Sequence, residues 1–265
     1  MGKVIGVVSL KGGVGKTSAV VALGAAIAEL GKKILLVDAN FSSPNLGLHL
    51  NVINPETTLH HVLSREANVS DAICKLESFD LLPSSIFHQM NINPLKLKDK
   101  IKPLKRKYDF IIIDSSPALN DETLAAMLAS DEILVVTTPD YPTLGATLKA
   151  VKLARQRGVQ MNGLILNKVH NKNFELSLGD IEETVEIPIM AVIPYDVNVL
   201  KALSEFTPSV THNPKSKGSK EYKKLAAALT GEKSKPIQLK RFFRWINPKR
   251  QEINREIFYK RVFKD

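Results

Sequence analysis

One stretch near the start of the chain decides the fold: Lys11-Gly12-Gly13-Val14-Gly15-Lys16-Thr17. The β-branched apolar run 4–10 precedes it and predicts a strand, and the stretch 16–30 after it predicts a helix. The glycines let backbone amides turn inward without side-chain clashes, and together with the helix amino terminus these amides form an anion site. Strand, glycine-rich loop and helix in this order are the context that a phosphate-binding P-loop requires.

Two side chains of this loop are suited to nucleotide chemistry. The ammonium group of Lys16 is expected to reach the β- and γ-phosphates as a point charge. The hydroxyl of Thr17 is expected to ligate Mg²⁺. The motif departs from the usual P-loop at its first glycine, which is replaced by Leu10, and an additional lysine, Lys11, follows.

Apolar runs alternate with helix-period stretches along the rest of the chain. Most runs are apolar on both faces, as is typical of strands buried between helices in a parallel sheet. The predicted strands span 4–10, 33–37, 110–113, 133–137, 163–166 and 189–193. The predicted helices span 16–30, 121–130, 143–157, 197–206 and 219–229. This alternation predicts an α/β fold with three layers and a doubly wound, mostly parallel sheet of the P-loop NTPase kind.

Composition divides the chain into a domain and a tail. Of 265 residues, 44% are apolar and 24% charged, as in ordinary soluble proteins. Loop-like composition at 211–218 and linker-like composition at 230–236 predict a domain over 1–231 and a tail over 232–265. The apolar runs are too short to span a bilayer and no signal peptide is recognised, so we expect a cytoplasmic protein. A single cysteine, Cys74, excludes an internal disulfide and a cysteine-held metal cluster.

The net charge of +10 is concentrated in two segments. Residues 232–265 contain eleven Lys/Arg and four Asp/Glu, and residues 96–107 contain seven basic residues and one acid. Such patches suit an anionic partner, namely a membrane surface, a nucleic acid or an acidic protein, and the alternative is a solvated lysine-rich surface.

The glycine-rich stretch resembles the deviant Walker A box of the MinD/ParA superfamily, and the resemblance extends over residues 3–229. It implies that the chain binds ATP and Mg²⁺. In that family the first lysine reaches across a nucleotide-sandwich dimer to the partner's ATP, so Lys11 implies a homodimer that forms on ATP binding. The resemblance assigns nucleotide contacts to Lys11, Gly12, Gly13, Val14, Gly15, Lys16, Thr17, Ser18, Asn167, Pro194 and Asp196.

Three of these assignments, and one metal ligand, come from strand ends. Asp114 follows the run 110–113 and matches the Walker B aspartate, where a carboxylate can hold Mg²⁺ or its waters. Asn167 matches the adenine-contacting asparagine, since an amide both donates to and accepts from a purine edge. Pro194 and Asp196 lie in a segment, 192–196, that resembles the loop closing over the base.

The end of the second strand departs from the family at one position. The family carries two aspartates there, one holding Mg²⁺ through its waters and one activating or orienting the attacking water. Here the first is Asp38, but the second position is Asn40. An amide cannot accept a proton, so we expect ATP binding with hydrolysis that is slow or depends on a partner. The resulting metal ligands are Thr17, Asp38 and Asp114. The catalytic candidates are Lys11, Lys16, Asp38 and Asn40.

The tail predicts a basic amphipathic helix over 237–247. Leu239, Phe242, Phe243 and Ile246 fall on one side at helical spacing, with basic residues opposite. MinD-like members carry a similar membrane-targeting helix, so the first hypothesis is a positioning switch on the inner face of the cytoplasmic membrane, with an unidentified protein partner.

Two alternatives remain open at this point. One is a ParA-like segregation protein that binds DNA non-specifically through the lysines at 215, 217, 220, 223 and 224. The other is a nucleotide-gated scaffold without useful turnover, which Asn40 favours.

Overall fold

The computed structural model describes residues 1–87 and 92–232. Most of the tail, including the amphipathic stretch 237–247, lies outside these residues. The last described helix, α10 (Lys217–Thr230), is capped by Gly231 in the left-handed conformation (φ 71°), and the division at residue 231 stays a prediction.

Within the described residues, eight strands form one sheet in the spatial order β3-β4-β2-β5-β1-β6-β7-β8. The strands are β1 (Lys3–Val8), β2 (Ile34–Ala39), β3 (Cys74–Lys75), β4 (Asp80–Leu82), β5 (Phe110–Ser115), β6 (Glu132–Thr137), β7 (Gln160–Val169) and β8 (Ile189–Pro194). All neighbouring strands are parallel except β3, which pairs antiparallel with β4. The predicted α/β class and mostly parallel sheet are confirmed.

Helices cover both faces of the sheet. They are α1 (Lys16–Ala28), α2 (Leu46–His49), α3 (Leu59–Ser64), α4 (Leu97–Ile101), α5 (Asp121–Ala129), α6 (Tyr141–Gln156), α7 (Leu178–Val185), α8 (Asn198–Ser204), α9 (Ser209–His212) and α10 (Lys217–Thr230). On one face of the sheet, a single core cluster packs α1, α9 and α10 against the strands. On the other face, two clusters pack α3 to α7 against the strand residues that point the opposite way. The three predicted layers follow from this burial, because each central strand is apolar on both faces.

Several element boundaries differ from the prediction. β1 ends at Val8, so residues 9 and 10 belong to the loop. β7 is longer than the predicted 163–166 and contains Asn167. The predicted loop 211–218 instead contains the end of α9 and the start of α10. The short strands β3 and β4 and the helices α2, α3, α4 and α7 have no counterpart in the prediction, since short elements give weak periodicity.

The sheet topology places the site. The chain moves from β1 to one side of the sheet through β2 to β5, and to the other side through β6 to β8. Ligands of doubly wound sheets bind at the carboxyl ends of the strands beside such a switch point. Asp38 and Asp114 lie opposite each other in the register of β2 and β5 at this edge.

Candidate functional site

The loop between β1 and α1 adopts the conformation that its glycines permit. Gly13 has φ 78° and Gly15, the amino cap of α1, has φ 88°, both in the left-handed region that side chains disfavour. A Cβ atom at Gly15 would collide with the side-chain amide nitrogen of Asn167, whereas one at Gly12 would meet open space. The loop therefore requires glycine at 15 for both conformation and space.

Lys16 and Thr17 tie this loop to β5. The Nζ of Lys16 lies 2.5 Å from Oδ1 of Asp114, and the Oγ1 of Thr17 donates to Oδ2 at 2.7 Å. The Lys16 and Asp114 side chains are only 7% and 1% exposed, so solvent hardly screens this ion pair. The predicted phosphate lysine, metal hydroxyl and Walker B carboxylate thus meet at one point.

Asp38 organises the loop after β2. Its carboxylate accepts hydrogen bonds from the backbone N–H groups of Asn40 at 3.1 Å, Asn45 at 3.1 Å and Leu46 at 2.9 Å. Burial, and then the negative charge of Asp114, raise the pKa of Asp38 above its usual range despite these hydrogen bonds. Two buried carboxylates side by side repel each other, which makes this point favourable for a cation.

Asn40 lies at the predicted position of the missing second carboxylate. Its side chain is nearly buried, and its Nδ2 donates to the carbonyl oxygen of Ser43 in the same loop. Asn40 also lines the cavity beside the P-loop. Its amide can orient a water molecule there but cannot take a proton from it.

Most of the residues predicted to contact the nucleotide line one open cavity of about 460 Å³. This volume is typical of pockets that hold a small-molecule ligand. Among the predicted site residues, it is lined by Lys11, Gly12, Gly13, Val14, Gly15, Lys16, Thr17, Ser18, Asn40, Asn167, Pro194 and Asp196. Asp38 and Asp114 are fully buried and are not part of this lining.

Two residues predicted to contact the base have protein partners. The Nδ2 of Asn167 donates to the carbonyl oxygen of Val14 at 2.8 Å, which fastens β7 to the P-loop. Asp196 accepts from the backbone N–H and side chain of Asn198 at 2.9 and 2.7 Å, at the start of α8. Both residues line the cavity, and their contact with a purine stays a prediction.

The side chain of Lys11 contacts the start of α6. Its Nζ donates to Oγ1 of Thr143 at 2.8 Å and lies 3.3 Å from Oδ1 of Asp140, the amino cap of α6. Burial alone would raise the pKa of Asp140, but hydrogen bonds from Thr138, Thr143 and Lys11 hold it below its ordinary value. The side chains of Lys11 and Asp140 are both 43% exposed, so this contact is accessible and weak.

Sequence reasoning did not single out several residues around the site, among them Glu122, Asp140, Lys168 and Tyr195. Glu122 of α5 accepts the backbone N–H of Ser42 at 3.0 Å, which connects α5 to the loop after β2. Asp140 holds Lys11, the Nζ of Lys168 donates to the carbonyl oxygen of Gly13 at 2.6 Å, and Tyr195 lines the cavity. Asp140 had a detectable signal, because an aspartate directly before a helix that follows a strand end is a common amino cap.

Comparison with protein families gives two matches. The model of an AAA domain matches residues 2–165, and that of 4Fe-4S iron sulfur cluster binding proteins of the NifH/frxC family matches residues 92–243. The only cysteine of the chain, Cys74, lies outside the second region, so this match reflects fold and not a thiolate-held cluster there.

Curated relatives cover most of the chain. An uncharacterised ATP-binding protein of Methanocaldococcus jannaschii is 32% identical over 86% of this chain and 88% of its own length. The septum site-determining protein MinD of Thermotoga maritima is 34% identical over 88% of this chain and 89% of its own. The sporulation initiation inhibitor protein Soj of Bacillus subtilis is 30% identical over 85% of this chain and 97% of its own length.

Solved structures agree with these relatives. The cell division ATPase MinD of Pyrococcus furiosus superposes with a TM-score of 0.83 at 36% identity, over 87% of this chain and 99% of that one. The septum site-determining protein MinD of Pyrococcus horikoshii, complexed with Mg-ADP, has a TM-score of 0.82 at 35% identity, over 86% of this chain and 96% of that one. A MinC:MinD complex of Aquifex aeolicus gives 0.78 at 25% identity over 89% and 98%. Because sequence and fold agree over most of both chains, the chain belongs to the MinD/ParA superfamily of P-loop ATPases.

Proposed function

We propose that this protein is an ATP-dependent dimerising switch of the MinD type, which binds the cytoplasmic membrane and recruits or positions a protein partner. One observation carries the proposal: two lysines of one loop lie at opposite depths of one cavity. Lys16 is buried against Asp114, whereas Lys11 is accessible at the rim. The buried lysine suits the phosphates of the chain's own nucleotide, and the accessible one suits a nucleotide held by a second subunit.

ATP and Mg²⁺ fit the residues of the cavity. The P-loop amides and Lys16 would bind the phosphates, while Thr17 and Asp114 would hold Mg²⁺, with Asp38 acting through its waters. The paired buried carboxylates support this assignment, since Mg²⁺ is bound through one or two carboxylates together with substrate phosphates. When bound, the ion would neutralise phosphate charge. Among the described residues, no three His, Cys, Asp or Glu side chains lie close enough together to hold a metal ion by themselves.

We infer slow or partner-dependent hydrolysis from Asn40. A positioned carboxylate that accepts a proton contributes roughly 10²- to 10⁴-fold to such reactions. The Asn40 amide, oriented by its bond to the Ser43 carbonyl, can position water without taking its proton. The ATP-bound state would then persist until a partner supplies the missing group or orients the water.

Membrane binding is proposed through residues 237–247, on the inner face of the cytoplasmic membrane. In the part of the chain that the structure describes, no helix is both long and apolar enough to cross a bilayer. One basic amphipathic segment would bind an anionic bilayer weakly, while two on an ATP-bound dimer gain avidity. Nucleotide state would in this way control membrane residence.

The test combines dimerisation and vesicle binding for the full chain. Light scattering and co-sedimentation with phosphatidylserine-containing vesicles are measured with ATP and with ADP. We expect ATP to promote both, Lys11→Ala to lose both, and a Phe242→Glu/Phe243→Glu variant to dimerise without sedimenting. Lys172→Ala, which removes an exposed lysine from the loop after β7, is the matched control. Vesicle binding that ignores both ATP and the tail substitutions would refute the proposal.

DNA binding in the ParA manner is the second candidate. Lys215, Lys217 and Lys220 are exposed. However, Lys223 pairs with Glu29 at 2.7 Å and Lys224 with Glu221 at 2.9 Å, which leaves less positive charge for phosphates. Gel shifts at low and moderate salt, beside the vesicle assay, separate this candidate from the first.

A further inference from the structure

The edge of the sheet opposite the P-loop carries its own basic surface. Strands β2, β5 and β1 begin there side by side, since Ile34 and Lys3 both lie opposite Phe110 in the strand registers. The segments just before these strands form an open depression of about 550 Å³. It is lined by Met1, Gly2, Lys33, Lys105, Arg106, Lys107, Tyr108 and Asp109. A strand of six residues separates the two edges by roughly 20 Å, so these cations are remote from the nucleotide cavity.

Three of these cations are available to a ligand, and we call them the amino-edge patch: Lys33, Arg106 and Lys107. All three are exposed, and none has a carboxylate within 4.0 Å among residues 1–87 and 92–232. Lys105, by contrast, is neutralised by Asp131 at 2.7 Å. The acid in the lining of the depression, Asp109, uses its Oδ2 to accept the backbone N–H of Lys33 at 2.7 Å.

The tail leaves the domain beside this patch. Glu232, the last described residue, pairs with Lys32 at 3.1 Å, and Lys32 directly precedes Lys33. The carbonyl oxygen of Lys33 in turn accepts the backbone N–H of Asp109 at 2.9 Å, two residues after Lys107. Residue 237 lies five positions after Glu232, which limits the start of the segment 237–247 to about 18 Å from Glu232.

We propose that the amino-edge patch is a second contact with an anionic lipid bilayer, made by the folded domain beside the tail. The proposal rests on the membrane binding proposed above. A bilayer fits better than nucleic acid, because the tail segment next to the patch combines basic residues with Leu239, Phe242, Phe243 and Ile246. A nucleic-acid backbone offers no apolar surface to the apolar face of this segment. In a bilayer, the lipid headgroups contact the basic residues and the acyl chains contact the apolar ones.

This contact orients the domain on the membrane. The patch and the point where the tail leaves the domain then face the bilayer together. Each basic side chain near an anionic leaflet strengthens binding by about fivefold, and salt weakens this contribution.

The test compares two charge-matched triple variants of the full chain with ATP present. The patch variant is Lys33→Gln/Arg106→Gln/Lys107→Gln. The control is Lys149→Gln/Lys152→Gln/Lys172→Gln, which removes exposed lysines from α6 and the loop after β7. We expect the patch variant to lose at least about tenfold in affinity for phosphatidylcholine vesicles containing phosphatidylserine, and the control to stay within about twofold of wild type. Unchanged thermal unfolding and ATP binding confirm that the patch variant is folded.

Each remaining outcome decides against the patch. If both triple variants lose vesicle affinity equally, net charge alone explains the binding. If the patch variant keeps the vesicle affinity of the wild type, the patch is not part of the membrane interface. A patch variant that loses affinity for duplex DNA but keeps its vesicle affinity assigns the surface to nucleic acid. If only Phe242→Glu/Phe243→Glu abolishes sedimentation, the patch proposal fails while the proposed function stands. If the wild-type chain does not sediment, both fail.

Discussion

The ammonium group of Lys11 lies 3.3 Å from the Oδ1 of Asp140, and this contact holds the lysine on its own subunit. A lysine that serves a second subunit must give up such a contact first. An exposed ion pair is worth roughly 0.2–1 kcal/mol, so it can be exchanged for contact with a nucleotide phosphate at small cost.

Asp140→Asn is therefore expected to favour the dimer. The amide keeps an oxygen to cap α6 but no longer attracts Lys11 electrostatically. The ATP concentration for half-maximal dimerisation should fall by about 1.5- to 5-fold, as measured by light scattering. Glu186→Gln is the control, since it weakens another exposed pair, with Arg155 at 2.8 Å, away from the cavity. A dimerisation curve that shifts equally in both variants, or toward higher ATP, contradicts the prediction.

Asn40→Asp should accelerate ATP hydrolysis by at least about tenfold, because it restores a proton acceptor at the loop after β2. ATP affinity should change little, since Asn40 lies at the cavity wall and not on the P-loop. Phosphate release under saturating ATP measures the effect.

Asn45→Asp is the matched control for this change. Asn45 lies in the same loop, lines the same cavity and also donates its Nδ2 to the Ser43 carbonyl, at 2.8 Å. We expect its turnover to stay near wild type. If Asn40→Asp hydrolyses ATP no faster than the wild type, the hypothesis that Asn40 limits hydrolysis is wrong.

Gly15→Ala should abolish ATP binding and lower the free energy of unfolding. The left-handed backbone costs a side chain about 1–2 kcal/mol, and the new Cβ would press on Asn167. Gly12→Ala has open space and should unfold at nearly the wild-type temperature. Thermal unfolding without nucleotide compares the two, and similar losses of stability in both would show that Gly15 is not specially constrained.

Asn167→Ala should reduce the preference for ATP over GTP. If the amide reads the purine edge, its loss costs about 1–3 kcal/mol for ATP and less for GTP. If it only supports Val14, both affinities fall together, and the adenine assignment is wrong. Nucleotide titrations measure both, with Asn173→Ala as an exposed control on the following loop.

Local patterns in the sequence could predict the strand–loop–helix order, the parallel sheet and the polar residues at the strand ends. Apolar runs such as 110–113 predict buried strands without knowledge of their neighbours. Strands β3 and β4 could not be predicted, since two- and three-residue strands depend on pairing with the rest of the sheet.

The sequence by itself determined the P-loop, the lysine pair in it and the substitution at Asn40, because these are residue identities at fixed spacing. Only the tertiary structure decided what each group touches. It placed Asp114 on Lys16, Asp140 on Lys11 and Lys33 beside Lys107, pairs separated by 98, 129 and 74 positions along the chain. The physical reason is that parallel strands bring distant segments to common edges, and no local pattern encodes which side chains meet there.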